Sequence, residues 1–147
     1  MKVEVYSRDA MEELKQAGFP KNVAVISFYT PTGKRESYFP PVDYRGFTDR
    51  VFYVGIVDID IELLPEYGYT YETYIAAVDE LAAFIRAAHD EGLDIICQCD
   101  WGQSRSAGCA AAILQHFEAR GIDIFADYRY YPNQLVYHRV FEALEKA

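Results

Sequence analysis

Apolar positions along the chain fall into runs of two kinds. "NVAVISFY", "RVFYVGIVDIDI" and "LDIICQC" are apolar at nearly every position, which predicts strands buried on both faces of a parallel sheet. "KVEVY" alternates and is rich in Val, predicting a further short strand near the start. Tyr74, Ile75, Val78, Leu81, Ala82, Ile85 and Ala88 recur at spacings of three and four, the stripe of an amphipathic helix that Gly92 can end. "SAGCAAAILQHFEAR" and "NQLVYHRVFEALEK" read as two more helices, and Asp9 with Glu12 has capping-box spacing for a short one ending near Gly18. "TPTGKRESYFPPVDYRG", punctuated by Pro and Gly, reads as a loop. Strands alternating with helices predict an α/β fold: one domain, residues 1–147, with a mainly parallel central sheet of about four to five strands flanked by helices.

Composition narrows the function classes. The 147 residues are 51% hydrophobic and 25% charged, with no uncharged apolar run approaching the ~18 residues a membrane span needs, and no apolar segment of signal-peptide type near the start. A cytoplasmic protein with no membrane partner is expected. The net charge of −9 argues against a nucleic-acid surface, which depends on clustered Lys and Arg. Any phosphate is therefore expected to be met at one local site. Cys97, Cys99 and Cys109 are an odd, crowded set and read as reduced thiols; Cys-x-Cys with one distant Cys lacks zinc-ligand spacing.

The stretch "CQCDWGQSRSAG" concentrates the chemistry. An apolar strand delivers Cys99 to its carboxyl end, where ligands of open α/β sheets bind, and a helix begins within the loop that follows. A helix N-terminus offers unpaired N–H groups and a positive dipole end to an anion. Gly102 lets the backbone fold its amides inward as a nest, and Arg105 adds a permanently charged fork for two oxygens. The same surroundings favour a thiolate at Cys99, because helix N-termini and cations lower a cysteine pKa from ~8.5 into a range of roughly 3.5–7.5. Ser104 and Ser106 can donate hydroxyl hydrogen bonds to the sulfur.

From Cys99 to Gly108 the loop resembles the Cys-x5-Arg signature of the protein tyrosine phosphatases, specifically their compact dual-specificity branch. The likeness includes the strand before, the helix after, an acid-bearing strand end upstream and the later "RYYPN", and covers most of residues 20 to 145. It implies a phosphatase-like fold and a phosphomonoester hydrolase, a protein tyrosine or dual-specificity phosphatase acting on phosphotyrosine or also on phosphoserine and phosphothreonine, that works through a cysteinyl-phosphate. Cys99 is then the nucleophile, Arg105 binds the phosphate and transition state, and Ser106 stabilises the leaving thiolate. Family position points to Asp58 as general acid, with Asp60 the alternative because it shares the same parity if the strand continues. Asp100, Trp101, Gly102, Gln103 and Ser104 line the phosphate, while Gln98, Asn133 and Arg129 support the loop.

The resemblance implies no metal and no cofactor. The partner is a phosphorylated protein or small phosphomonoester, with phosphate or another oxyanion in the loop. Family members usually carry histidine where Gln98 stands, so a reactive but less acidic Cys99 is expected. Relatives directed at polyphosphoinositides carry basic residues in the loop, and Asp100 argues against such a substrate. Trp101 is a pocket wall or a cover over core, Cys97 and Cys109 are core thiols, and Ser7, Arg45 and "YFPPVDYRG" are possible substrate contacts. A phosphate-binding pseudophosphatase is the alternative function, followed by arsenate reduction or rhodanese-type sulfur transfer.

Overall fold

The structure, a computed structural model, describes residues 1–31 and 39–146. Residues 32–38 of the long Pro/Gly loop, including Tyr38 of "YFPPVDYRG", lie outside the described residues. Four strands, β1 (Val3–Tyr6), β2 (Val23–Tyr29), β3 (Val51–Gly55) and β4 (Asp94–Gln98), form one parallel sheet in the order β1-β4-β2-β3. The helices are α1 (Arg8–Ala17), α2 (Val78–Asp90), α3 (Arg105–Glu118), a single turn α4 (Ile122–Phe125) and α5 (Gln134–Glu145).

Side-chain alternation sorts the strands onto two cores. Ala24, Ile26, Phe28, Ile95, Cys97 and Cys99 join the larger cluster with α2, α3 and α5, whereas Val23, Val25 and Ile96 face Met11 of α1 and Tyr44. The apolar runs of β2 and β4 thus read correctly as strands buried on both faces. Helix α3 is buried continuously from Arg105 to Leu114, because it lies between the sheet and α5. Gly108 permits the close approach: a Cβ there would stand 2.5 Å from the Asn133 carbonyl oxygen. Burying Ile113 and Val140 at this junction is worth about 1.5–3 kcal/mol each.

Two local expectations need correction. The strand expected through "RVFYVGIVDIDI" ends at Gly55, and β3 is an edge strand with Tyr53 exposed. Its partner β2 stops at Tyr29 before Pro31, so after the bond from Ile56 N to Tyr29 O the chain has no strand to pair with. It continues extended and then enters two 3₁₀ turns, Ile61–Leu63 and Pro65–Tyr67. Helix α1 is capped by Ser7, whose Oγ accepts from Ala10 N at 3.0 Å, and not by Asp9. The amphipathic stripe from Tyr74 begins in turns; α2 proper starts at Val78.

Candidate active site

The loop from Cys99 to Ser104 joins the carboxyl end of β4 to the N-terminus of α3. Its backbone is braced from both ends of the chain. Cys99 N donates to Tyr6 O at 3.2 Å, Arg8 N to Asp100 O at 3.1 Å, Tyr131 N to Gln103 O at 2.8 Å and Asn133 N to Ser104 O at 3.0 Å. Carbonyls of the loop are thereby turned outward. Gly102 has φ +67°, and a Cβ there would meet Ser7 N at 2.6 Å, so only glycine fits where α1 abuts the loop.

Cys99 is 2% exposed, with its Sγ 2.9 Å from Ser106 Oγ. Arg105 is also 2% exposed. Its Nη1 donates to Thr30 Oγ1 at 3.0 Å and Ile56 O at 2.8 Å, and its Nη2 to Asp100 Oδ2 at 3.3 Å. Its Nε, equally buried, has no hydrogen-bond partner among the described residues. Thr30 and Ile56 were not foreseen; each stands just past the carboxyl end of a strand, β2 or β3, and that position was the available signal.

Of the two candidate acids, Asp58 is the one brought to the loop. Its Oδ1 accepts from Ser104 Oγ and from Asn133 Nδ2, both at 2.7 Å. Asn133 Nδ2 also donates to Ile59 O at 3.1 Å, and Asn133 Oδ1 caps α5 through Val136 N at 2.9 Å. One asparagine thus ties the acid segment, the loop and the last helix together. Tyr74 adds a brace through its hydroxyl, which donates to Val57 O. Burial, and secondarily the Asp58 charge, push that phenol well above the ordinary tyrosine value. Asp60 is exposed and heads the first 3₁₀ turn, with no bond to the loop among the described residues.

A cleft of about 290 Å³ opens between Asp58, Tyr67, Trp101, Thr30 and Arg105. Trp101 is 64% exposed and meets Phe39 edge-on at 6.4 Å, so it is a wall of this cleft and covers no core. Asp100, expected to face substrate, is instead buried and turned inward. Gln103 is exposed and contributes its carbonyl to Tyr131.

Gln98 is fully buried on the face opposite Cys99. Its Oε1 accepts from Ser27 Oγ at 2.5 Å and Tyr44 OH at 2.8 Å, while Nε2 is without a partner among the described residues. It supports β4 from below through neutral groups, and burial pushes the Tyr44 phenol well up. Arg129 does not reach the loop: it is exposed and pairs with Asp127 at 2.7 Å. Arg45 likewise pairs with Asp43 at 2.7 Å on an exposed turn. Cys97 and Cys109 are fully buried; their mutual hydrogen bond, together with burial, pushes the Cys97 thiol well above the ordinary thiol value.

Neither a family model nor a curated protein matches the chain. Solved structures do. Human DUSP28 aligns with TM-score 0.55 at 19% identity over 97% of this chain and 91% of its own. The fold is that of the dual-specificity phosphatases. Two more structures extend this phosphatase fold's range. One is a human tyrosine phosphatase-like serine/threonine/tyrosine-interacting protein, with TM-score 0.53, 18% identity, and 96% and 87% coverage of the two chains. The other is PTPMT1 in complex with PI(5)P, with TM-score 0.56, 13% identity, and 99% and 91% coverage. These identities establish architecture alone; within it, Asp58 and Arg105 line one cleft.

Proposed function

We propose that the protein is a cysteine-dependent phosphomonoester hydrolase, a protein tyrosine or dual-specificity phosphatase. The observation that carries this reading is the state of Arg105. Three acceptors fix Nη1 and Nη2, while the buried Nε is left without a partner among the described residues. The side edge of the guanidinium, Nε and the second Nη2 proton, matches two phosphate oxygens.

In this mechanism the Cys99 thiolate attacks phosphorus, and the P–O bond to the leaving alkoxide or phenolate breaks. Arg105 and the loop amides take up charge on the equatorial oxygens. Asp58 holds Ser104 and Asn133 on Oδ1, so Oδ2 carries the proton given to the leaving oxygen. Water then attacks the cysteinyl-phosphate while the Asp58 carboxylate accepts its proton. The Ser106 hydroxyl, 2.9 Å from Sγ, stabilises the departing thiolate.

A second reading, phosphate binding without turnover, is favoured by one observation: Gln98 offers the nucleophile only neutral support. Hydrolysis of p-nitrophenyl phosphate in the presence of chelator separates the two. The phosphatase reading expects turnover that Cys99→Ser abolishes while tungstate still binds. Tungstate or phosphopeptide binding with no hydrolysis by the unaltered protein would leave only the second reading.

A further inference from the structure

Two arginines open two different helices and converge on one carboxylate. Arg105 is the first residue of α3 and Arg8 the first of α1, positions where the helix dipole disfavours a cation. Asp100 lies between them, 3.3 Å from Arg105 Nη2 and 3.5 Å from Arg8 Nε, with its side chain only 3% exposed. Arg8 is anchored in turn. Its guanidinium lies 5.4 Å over the Phe39 ring, its Nη2 donates to Pro40 O, and its backbone N donates to Asp100 O. The chain Arg8, Asp100, Arg105 runs from the β1–α1 junction to the start of α3.

Resting on the reading of this loop as an oxyanion cradle, we propose that Arg8 and Asp100 are positioning residues that fix the plane of the Arg105 guanidinium. Thr30 and Ile56 O hold Nη1, and Asp100 holds Nη2. With both outer nitrogens restrained, the Nε edge keeps one orientation before ligand arrives, which lowers the ordering cost of binding. Arg8 keeps Asp100 from swinging away and balances its charge. The Asp100 carboxylate is therefore directed at two arginines and not at the mouth, and it does not exclude substrates bearing further phosphates.

The sign of one substitution separates this from simple charge repulsion. If Asp100 merely repelled anions, Asp100→Asn would tighten oxyanion binding. If it positions Arg105, the same change loosens it. Tungstate titration followed by the emission of Trp101, the single tryptophan, reads this without turnover.

The expected result is a dissociation constant about tenfold higher in Asp100→Asn and in Arg8→Ala. The double variant should be no worse than Asp100→Asn, and Arg8→Lys should recover most of the loss. The Nε–H signal of Arg105 in ¹H–¹⁵N spectra, assigned by its disappearance in Arg105→Lys, should exchange faster in both single variants. Asp100→Glu supplies the comparison should Asp100→Asn fold poorly. Equal or tighter tungstate binding in Asp100→Asn, or an unchanged Arg105 signal in both variants, overturns the proposal. An Arg105 signal that responds as expected in a protein binding no tungstate supports the positioning chain and removes the cradle reading.

Discussion

Asp58 and Asp100 are two carboxylates brought to one loop, and their surroundings are opposite. Asp58 arrives from the segment after β3, is exposed, and is held through one oxygen by a hydroxyl and an amide. Asp100 belongs to the loop itself, is buried, and lies between two guanidinium groups. Neutral donors on one oxygen leave the other able to carry a proton to a leaving group. Two cations around a buried carboxylate leave it a geometric task, since breaking such a pair strands a charge in low dielectric. Burial and partner type thus fit the same kind of side chain for different work at one loop.

The largest effect that tests this contrast falls on Asp58. Asp58→Asn should lower kcat toward phosphoserine peptides by about 10²–10⁴-fold. The loss with p-nitrophenyl phosphate should be smaller, because nitrophenolate leaves with less need of a proton. Asp60→Asn should stay within about twofold of the parent. Equal losses in the two variants, measured by steady-state kinetics, would erase the distinction between them.

A middle-sized effect sharpens what holds Asp58. Asn133→Ala removes both the α5 cap and the bond to Asp58, so urea unfolding should show a loss of about 0.5–2 kcal/mol. Asn133→Ser keeps a capping oxygen but is too short for Asp58, so stability should be largely retained. Turnover should drop about 3–10-fold in both, as expected for one lost hydrogen bond. A serine variant with full activity would show that Ser104 alone positions the acid.

The smallest effect extends the comparison to the thiols on the same face of β4. The native state holds the Cys97 proton more tightly than the unfolded chain, through Cys109 and burial. Above about pH 8.5 the unfolded state therefore binds fewer protons, and stability falls as pH rises toward the native thiol's own titration. The slope is at most about 1.4 kcal/mol per pH unit, with no contribution below pH 8. Urea midpoints at pH 7.5 and 9.5 should diverge less in Cys97→Ala. Tyr44 and Tyr74, whose phenols are also pushed up by burial, add their own slope only above about pH 10.

Much of this arrangement is legible in sequence because it is local. The runs that became β2 and β4, the helix starting within the signature loop, and Gly102 follow from periodicity and backbone demands. The end of β3 was not legible, since it depends on where β2 stops and not on the apolarity of Ile56 and Val57. Ser7 and Asp9 are both suitable caps, and only the strand end at Tyr6 decides between them. Arg8 carried a signal that went unread: a cation in the first turn of a helix opposes the dipole and calls for a nearby anion. The edge position of β1 beside β4 is a matter of topology, and with it the contact of Arg8 with Asp100.

The braces on the signature loop come from Tyr6 and Arg8 at one end of the sequence and from Tyr131 and Asn133 at the other. Contacts of such long sequence separation form late, after the chain has closed large loops. During synthesis Tyr6 and Arg8 precede Cys99 from the ribosome, and Tyr131 and Asn133 follow it. The Cys99 thiol meets oxidants and metals most freely in the nascent chain, and the folded protein, where it is 2% exposed, is the protected form. Helix α5 is in this sense a seal: until Asn133 docks, the Cys99 thiol is made but not yet guarded.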